Sequence, residues 1–331
     1  MKVILDGLGG DTAPESEIRG AIEAAREGVN LIIVGPEKIL KKRLKKEISK
    51  KIEIYDCEER VEMADSPSEA VRKKKNSSIG VGIKLLREGH GDAFVSAGNT
   101  GAIMAFSLFN LGTAEGVIRP AIGGIIPRKK GASILIDMGA NVDSNAVQLC
   151  QFAIMGEVYY RMVFAKTHPS IGLLSTGKEK GKGSRIVKEA DKILEKAPIN
   201  YIGLVEGRDI FMGTADVIVC DGFVGNTLLK SGEALVDFIL ETVKEEVKKS
   251  PRAILGYLLM KRALMKVKKN LDYSEYGGAP LLGVKKPVFI CHGSSPPAAI
   301  KNALKLAERI SRDGLIEKVT GAIEESLKWL S

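Results

Sequence analysis

Short, nearly continuous apolar runs alternate with longer stretches of helical periodicity along the whole chain. Such runs are typical of strands buried on both faces, and apolar residues three and four apart are typical of amphipathic helices. The predicted strands are Val3–Asp6, Leu31–Gly35, Ile52–Tyr55, Asp92–Ser96, Ser133–Asp137, Ile171–Ser175, Tyr201–Val205, Asp216–Cys220 and Val288–Cys291. The predicted helices are Glu15–Glu27, Thr100–Leu111, Asn145–Val163, Gly183–Glu195, Asn226–Lys249, Pro297–Arg312 and Ile316–Leu330. Because no repeat or linker divides the chain, this order predicts one three-layer α/β/α domain with a mainly parallel sheet over residues 1–331.

One stretch, at about 244–286, is expected to leave this domain as a basic amphipathic helical excursion. Its segment Pro251–Lys269 mixes apolar residues with lysine and arginine. A helix of this kind can lie in a membrane interface, with Leu258, Leu259 and Met265 as the contacts. It can equally pack on its own protein or on a second copy, because its apolar residues do not all share one face. The periodicity leaves these interpretations open.

Polar, glycine-rich segments follow most of the predicted strands. Ligands of parallel α/β sheets bind outside the carboxyl ends of the strands, so these segments are expected to meet at one rim. Glycines let backbone N–H groups approach a ligand closely, and the N-termini of the following helices favour anions. The segments are 7–11, 96–101, 137–143, 175–177, 206–209, 221–226 and 292–295. Together they predict an oxyanion-binding site.

The common cofactor motifs do not occur in these segments. Gly7 and Gly9 begin like a dinucleotide fingerprint, but Thr12 stands at its last glycine position, and residues 177–184 imitate a P-loop with the wrong spacing. Three scattered histidines do not suggest a metal site. Four widely spaced cysteines indicate free thiols in a reducing cytoplasm, and Cys220, at the end of an apolar strand, is expected to be buried. We therefore expect no metal and no cofactor.

The net charge of +9 is concentrated in a few short segments. Residues 38–51, 72–75, 128–130 and 246–269 together carry +21, against −12 for the rest of the chain. A nucleic-acid partner is therefore not expected, whereas anionic lipid, an acidic protein or a phosphorylated small molecule would suit localised positive charge. No signal peptide and no long apolar span are evident, which predicts a cytoplasmic protein.

A rim of backbone amides, amide side chains and lysines, without an evident nucleophilic side chain, suits attack by inorganic phosphate on an activated acyl group. Phosphate is already an anionic nucleophile at neutral pH, and a thioester has a good leaving group. Such a site needs positioning and oxyanion stabilisation more than it needs a strong general base. The residues therefore predict an acyl transfer to phosphate.

Several motifs resemble those of the PlsX family of bacterial phosphate acyltransferases. They are LDGLGGDTAP (5–14), RKKKNSS (72–78), DAFVSAGNTGA (92–102), RPAI (119–122), DMGANVD (137–143), VEGRDIF (205–211), CDGFVGN (220–226), YSEYGGAPLLG (273–283) and HGSS (292–295). The resemblance implies a fold similar to isocitrate dehydrogenase and phosphotransacetylase. It also implies formation of acyl phosphate from acyl-acyl-carrier-protein and inorganic phosphate, early in phospholipid synthesis. It further implies a homodimer attached peripherally to the inner face of the cell membrane.

The resemblance also assigns site residues by position. Lys182 is expected to bind phosphate or the oxyanion, and His292 to give a proton to the departing thiolate, although a structural histidine is an equally open interpretation. The expected substrate-binding residues are Gly9, Gly10, Asp11, Gly98, Asn99, Thr100, Asn141, Asn226 and Ser294. Two stretches depart from the family pattern: Leu8 and Thr12 in the first loop, and residues 175–184, which gain lysines and lose amide side chains.

Two other functions remain open from the sequence. A phosphotransacetylase-like enzyme would use the same chemistry on acyl-coenzyme A, but it would have no evident need for the basic excursion. A non-enzymatic protein that binds membrane or RNA would use the basic segments alone. Acyl-chain preference and dimer geometry are not legible in the residues.

Overall fold

The computed structural model describes residues 1–44, 50–271 and 276–330, without the side chains of 268–271. Parts of the basic segment 38–51 and of the motif 273–283 lie outside the described residues, and so do the last two side chains of the segment Pro251–Lys269. The strands are β1 (Lys2–Asp6), β2 (Asn30–Gly35), β3 (Ile52–Asp56), β4 (Ala93–Ser96), β5 (Ala121–Pro127), β6 (Ala132–Ile136), β7 (Ile171–Leu174), β8 (Tyr201–Val205), β9 (Val217–Val219), β10 (Ala279–Leu282) and β11 (Val288–Ile290). The helices are α1 (Glu15–Arg26), α2 (Glu37–Arg43), α3 (Pro67–Lys73), α4 (Ser78–Arg87), α5 (Thr100–Asn110), α6 (Ala146–Phe164), α7 (Arg185–Leu194), α8 (Gly207–Met212), α9 (Gly222–Lys248), α10 (Pro251–Leu271), α11 (Pro297–Arg312) and α12 (Leu315–Leu330).

The strands form one sheet in the order β3-β2-β1-β4-β11-β10-β5-β6-β9-β7-β8. Most neighbours are parallel, but β10 is antiparallel to β11 and β5, and β5 is antiparallel to β6. The strands that begin the polar segments therefore end at a common rim. The predicted α/β/α fold with a mainly parallel sheet is confirmed.

Alternating residues of the strands pack into different cores, which accounts for the three layers. Val3 and Leu5 of β1 join the cluster formed with α1, α6, α11 and α12, whereas Ile4 joins a cluster with α4 and α5 on the opposite face. Leu135 of β6 and Ile218 of β9 join a third cluster, which includes residues of α8 and lies against α9. Strands buried on both faces need apolar residues at every position, and this is why their sequences are continuous apolar runs.

Two central strands, β5 and β10, are missing from the sequence prediction. β5 contains Gly123 and Gly124, and β10 contains Pro280, which are unfavourable residues in strands. Neighbours fill the space at these glycines, since a Cβ at Gly124 would lie 2.0 Å from the sulfur of Met138. Tertiary packing therefore stabilises strands that local propensity does not predict.

The short helices α2, α3, α4 and α8 are also missing from the prediction, and α9 begins four residues before its predicted start. The earlier start has a clear cause, because the carboxylate of Asp221 accepts a hydrogen bond from Val224 N–H at 2.8 Å and caps the helix. Helix α7 begins at Arg185 rather than Gly183, with Ser184 as its cap.

Helices α9 and α10 pack against each other, and α9 contacts β6. The chain is again in the sheet at Ala279, inside the range 244–286 that was predicted to be an excursion. The assignment of the whole chain to one domain stays a prediction. In the part of the chain that the structure describes, no helix is both long and apolar enough to cross a membrane.

Candidate active site

A cavity of about 470 Å³ opens at the rim of the sheet, where the polar segments meet. It lies between the cluster on α4 and α5 and the cluster beside α9, and Met138 packs against both. Its polar lining includes Asp11, Asn99, Thr100, Asn226, Lys230, Glu233, His292 and Ser295. Its apolar lining includes Met63, Ile122, Ile125, Met138, Leu229 and Ile290. A mixed cavity of this size can hold a polar head and part of an apolar chain.

Of the predicted site residues, the structure brings Asp11, Gly98, Asn99, Thr100, Asn226 and His292 to the cavity wall. Gly9, Gly10, Asn141, Ser294 and Lys182 are not among the lining residues. The individual substrate contacts of both groups stay predictions. The hydrogen bonds of these residues within the protein are described next, loop by loop.

The loop after β1, residues 7–11, is stabilised by the buried carboxylate of Asp6. Asp6 accepts hydrogen bonds from Leu8 N–H at 3.0 Å and from the Ser96 hydroxyl at 2.6 Å. Complete burial raises the pKa of this carboxyl above its ordinary value, and the hydrogen bonds from Ser96 and Leu8 oppose that shift. Gly9 is required here, since a Cβ would lie 2.7 Å from Gly98 N and from an Asp6 oxygen.

Glu17 of α1 supports the same loop and was not identified from the sequence. Its Oε1 accepts a hydrogen bond from Gly10 N–H at 3.0 Å, and its Oε2 is buried without a partner among the described residues. Burial raises the pKa of Glu17 to about 7. The amides of Gly10 and Gly98 thus donate inside the protein, to Glu17 and to the Ser96 hydroxyl, rather than into the cavity.

Asn99 joins the rim to a neighbouring loop. Its side-chain oxygen accepts from Ala102 N–H at 3.0 Å and caps α5, while its amide nitrogen donates to the carbonyls of Met63 and Asp65 at 3.0 and 3.1 Å. The next residue, Thr100, is exposed at the first turn of α5. A helix N-terminus that opens into a cavity is a favourable place for an anion.

The loop after β6 is organised by Asp137, a second buried carboxylate. It accepts from the backbone N–H groups of Ile122, Ala140 and Asn141, and from the Asn141 side chain at 2.8 Å. Burial nevertheless raises the pKa of Asp137 above its ordinary value. The Asn141 amide also donates to the carbonyl of Pro120 at 2.7 Å, so this side chain holds the loop in the structure.

His292 is fixed on one side of its ring and open on the other. Its Nδ1 lies 2.8 Å from the Ser294 hydroxyl and 3.3 Å from Ser294 N–H. Its Nε2 faces Glu233 of α9 across 3.9 Å. Ser294, a predicted substrate-binding residue, thus lies behind the histidine ring rather than at the cavity wall.

Helix α9 contributes two lining residues, Lys230 and Glu233, that sequence reasoning missed. Lys230 follows Asn226 by four residues, and Glu233 follows Lys230 by three. The three side chains therefore share one face of the helix. This spacing on a predicted helix is the signal that could have identified them. Among the described residues that line the cavity, Lys230 is the one lysine, and none is an arginine.

Lys182 lies on the loop after β7, and β9 separates this strand from β6. Two neighbouring lysines in this loop are paired elsewhere: Lys178 with Asp209 at 2.9 Å and Lys180 with Glu195 at 2.8 Å. The structure does not bring Lys182 to the cavity wall. Its assignment as a catalytic residue stays a prediction.

The titratable side chains do not suggest a metal site. Among the described residues, no group of three or more histidine, cysteine or acidic side chains is placed to hold a metal ion. The four cysteines are free and buried, as expected for Cys220, and burial raises its thiol pKa well above the ordinary value. A cysteine nucleophile is therefore not supported.

Comparison with known proteins agrees with this geometry. The EutD phosphotransacetylase from Staphylococcus aureus superimposes with a TM-score of 0.57 at 17% identity, covering 93% of this chain and 94% of that one. The chain thus has the three-layer fold of the phosphotransacetylases. Residues 1–318 match the family model described as "Fatty acid synthesis protein", and the chain belongs to that family.

Two relatives specify the family further. The phosphate acyltransferase of Pelotomaculum thermopropionicum is 46% identical over 326 residues, covering 98% of this chain and 95% of the relative. That of Pelobacter propionicus is 45% identical over 329 residues, with the same coverage. The predicted resemblance to phosphate acyltransferases and the predicted acyltransferase class are confirmed.

Proposed function

We propose that this protein makes acyl phosphate from acyl-acyl-carrier-protein and inorganic phosphate, at an early step of phospholipid synthesis. The observation that carries the proposal is the mixed cavity at the rim. Thr100 and His292 are among its polar lining residues, and Ile122, Met138 and Ile290 are among its apolar ones. This arrangement, in a family described as fatty acid synthesis proteins, suits a phosphate beside a fatty acyl thioester.

The chemistry follows from the groups at the wall. A phosphate oxygen attacks the thioester carbon, a C–O bond forms, and the C–S bond breaks with its electron pair on sulfur. A protonated His292 gives its proton to the sulfur and becomes neutral, and the proton released by the attacking hydrogenphosphate returns through solvent to restore the imidazolium. Lys230 and the N-terminus of α5 supply positive potential for the phosphate. Positioning and electrostatics carry most of the rate.

An acidic carrier protein as the acyl donor is supported by charge near the cavity. Helix α3 packs on α5, and a Cβ at Gly101 in the cavity wall would lie 2.6 Å from Pro67 at the start of α3. The basic residues 72–75 stand at the other end of this short helix, and Arg72 and Lys75 are exposed. They offer a docking surface for acidic protein beside the cavity mouth.

Hydroxylamine trapping of acyl phosphate tests the activity directly. Purified protein is given phosphate and either acyl-acyl-carrier-protein or acyl-coenzyme A, over several chain lengths. The proposal expects product from the carrier-protein thioester, and turnover on acyl-coenzyme A alone would establish the phosphotransacetylase-like alternative. Folded protein with no product from either donor would contradict the proposal.

A charge reversal tests the carrier-protein contact separately. Arg72→Glu with Lys75→Glu is expected to raise KM for the carrier-protein donor about tenfold, at unchanged kcat, and to have little effect on a coenzyme A donor. The matched control is Lys129→Glu with Lys130→Glu, which reverses two exposed lysines at the β5–β6 turn, at the opposite end of the sheet. Equal effects of the two pairs would contradict a docking surface at 72–75.

We also propose that α10 contacts an anionic membrane from the cytoplasmic side. Leu258, Leu259 and Met265 are 59%, 80% and 60% exposed, among basic residues of the same helix. Leu258→Glu is expected to reduce flotation with vesicles containing phosphatidylglycerol, whereas Ile202→Glu, on exposed β8, is not. Equal flotation of both variants would instead favour packing of α10 on a second copy in the expected homodimer, which light scattering measures.

A further inference from the structure

The orientation of the His292 ring is determined by Ser294. A backbone N–H can only donate, so its 3.3 Å approach to Nδ1 makes that nitrogen an acceptor in the neutral ring. The proton of the neutral ring is then on Nε2, which faces the cavity and Glu233. When the ring takes a second proton, Nδ1–H can donate to the Ser294 hydroxyl at 2.8 Å. In both states Nε2 presents an N–H group on the Glu233 side.

Glu233 is placed to receive that N–H group. Its Oε2 lies 3.9 Å from Nε2, and its side chain is only 21% exposed. Its Oε1 is buried without a hydrogen-bond partner among the described residues. A buried carboxylate oxygen without a partner is unfavourable, so its presence in a cavity wall points to a function. The 3.9 Å gap is longer than a hydrogen bond, but such contacts in ligand-free sites often tighten only when substrate binds.

We propose that Glu233 is a positioning residue for His292, which rests on the proposed acyl transfer. The carboxylate pairs with the protonated ring and sets its orientation at the cavity wall. As the thiolate departs, the Nε2 proton passes to sulfur and its contact with Glu233 is released, and the remaining ring proton stays on Nδ1, donated to the Ser294 hydroxyl. Glu233 itself neither gains nor loses a proton in this step. Its position on α9, seven residues after Asn226, brings it to the cavity that His292 also lines.

Leaving-group dependence distinguishes this role from a structural one. With an alkyl thioester donor, Glu233→Gln is expected to lower kcat about tenfold or more, with KM changed less than about twofold. An aryl thioester, whose thiolate leaves without a proton, is expected to restore most of the lost rate. Glu241→Gln, an exposed glutamate further along α9, is the matched control and should match wild type with both donors.

Coupling between the two residues gives a second readout. Because Glu233 acts through the ring, Glu233→Gln added to His292→Gln is expected to cost little beyond His292→Gln alone. Additive losses, an equal loss of rate with the aryl thioester, or wild-type kcat in Glu233→Gln would each overturn the proposal. Circular dichroism and the thermal midpoint verify that each variant is folded.

If the wild type makes no acyl phosphate, the proposed function fails, and kinetics cannot test the role of Glu233. Nuclear magnetic resonance tests the pairing of Glu233 with His292 in that case too. The chain has only three histidines, so the ring nitrogen signals are readily assigned. Glu233→Gln is expected to shift the Nε2 signal of His292 and to leave those of His90 and His168 unchanged. An unchanged His292 signal would overturn the pairing itself.

Discussion

Asp6 and Asp137 play matching parts at the ends of two strands. Each carboxylate is buried, and each accepts at least one backbone N–H group from the glycine-containing loop that follows it. Each loop is thereby folded back on its own strand end, so the chain can turn sharply without unpaired polar groups. At both places an Asp at the end of a strand precedes a glycine-containing loop. The Asp accepts at least one backbone N–H group of the loop, and glycine allows other segments to pack closely against it.

Glu17 makes the first loop sensitive to pH. Burial raises its pKa from 4.5 to about 7, so the folded protein holds this proton more tightly than the unfolded chain does. The stability linked to this proton is present below pH 4.5 and is lost as the pH rises through about 7. Glu17→Gln keeps an acceptor for Gly10 N–H without a titrating group. It is expected to reduce the loss of unfolding free energy between pH 5 and pH 8 by about 2 kcal/mol.

Urea unfolding at the two pH values measures this difference. Glu15→Gln is the matched control, because Glu15 lies on the same helix but is exposed and forms an exposed ion pair with Arg43. We expect its pH dependence to follow wild type. If Glu17→Gln also followed wild type, Glu17 would not titrate between pH 5 and pH 8 in the folded protein.

At the scale of elements, the first turn of α9 depends on close contact with the loop after β6. A Cβ at Gly225 would lie 1.8 Å from the carbonyl oxygen of Asp137. Gly225→Ala is therefore expected to lower the free energy of unfolding by about 1–3 kcal/mol. It should also lower acyl transfer, because the same helix carries Asn226, Lys230 and Glu233 to the cavity.

Gly256→Ala is the control for this prediction, since in the described part of the chain no atom lies within 4 Å of the added methyl group on α10. Alanine is the better helix former, so this variant is expected to gain up to about 1 kcal/mol. Chemical unfolding and the trapping assay measure both variants. Equal stability of the two would mean that α9 can move away from Asp137 without loss.

The elements also show where sequence reasoning works and where it ends. Strands such as β1 and β2, buried on both faces, are legible because every residue is apolar. Strand β5 is not, since its glycines are tolerated only because side chains such as Met138 fill the space beside them. The loops of the rim were found from their composition. Glu233 was not identified from the sequence. A polar residue on a predicted helix indicates a site only when it is known which face of that helix lies toward the cavity.

At the scale of the whole molecule, strand order decides which predicted residues meet. The loops after β4 and β11 and the start of α9 meet at the cavity, although they are far apart in sequence. The loop of Lys182 follows β7, beyond β9, and lies outside the cavity wall. A sequence motif identifies such a loop, but the motif does not show how far that loop lies from the other loops along the sheet. This is why the sequence pointed to Lys182 and the structure adds Lys230.

Phosphate binding separates these two lysines. A phosphate in the cavity binds only the folded state, so at one hundred times its Kd it is expected to stabilise the protein by about 2.7 kcal/mol. For a chain of this length that corresponds to a rise of about 4 °C in the thermal midpoint. Chloride at matched ionic strength is the control for screening.

Because Lys230 lines the cavity, Lys230→Ala is expected to remove most of this rise in the thermal midpoint, and Lys182→Ala to remove less. The reverse order would show that the loop of Lys182 crosses to the cavity when phosphate binds, and hydrogen exchange over 177–184 would then slow with phosphate.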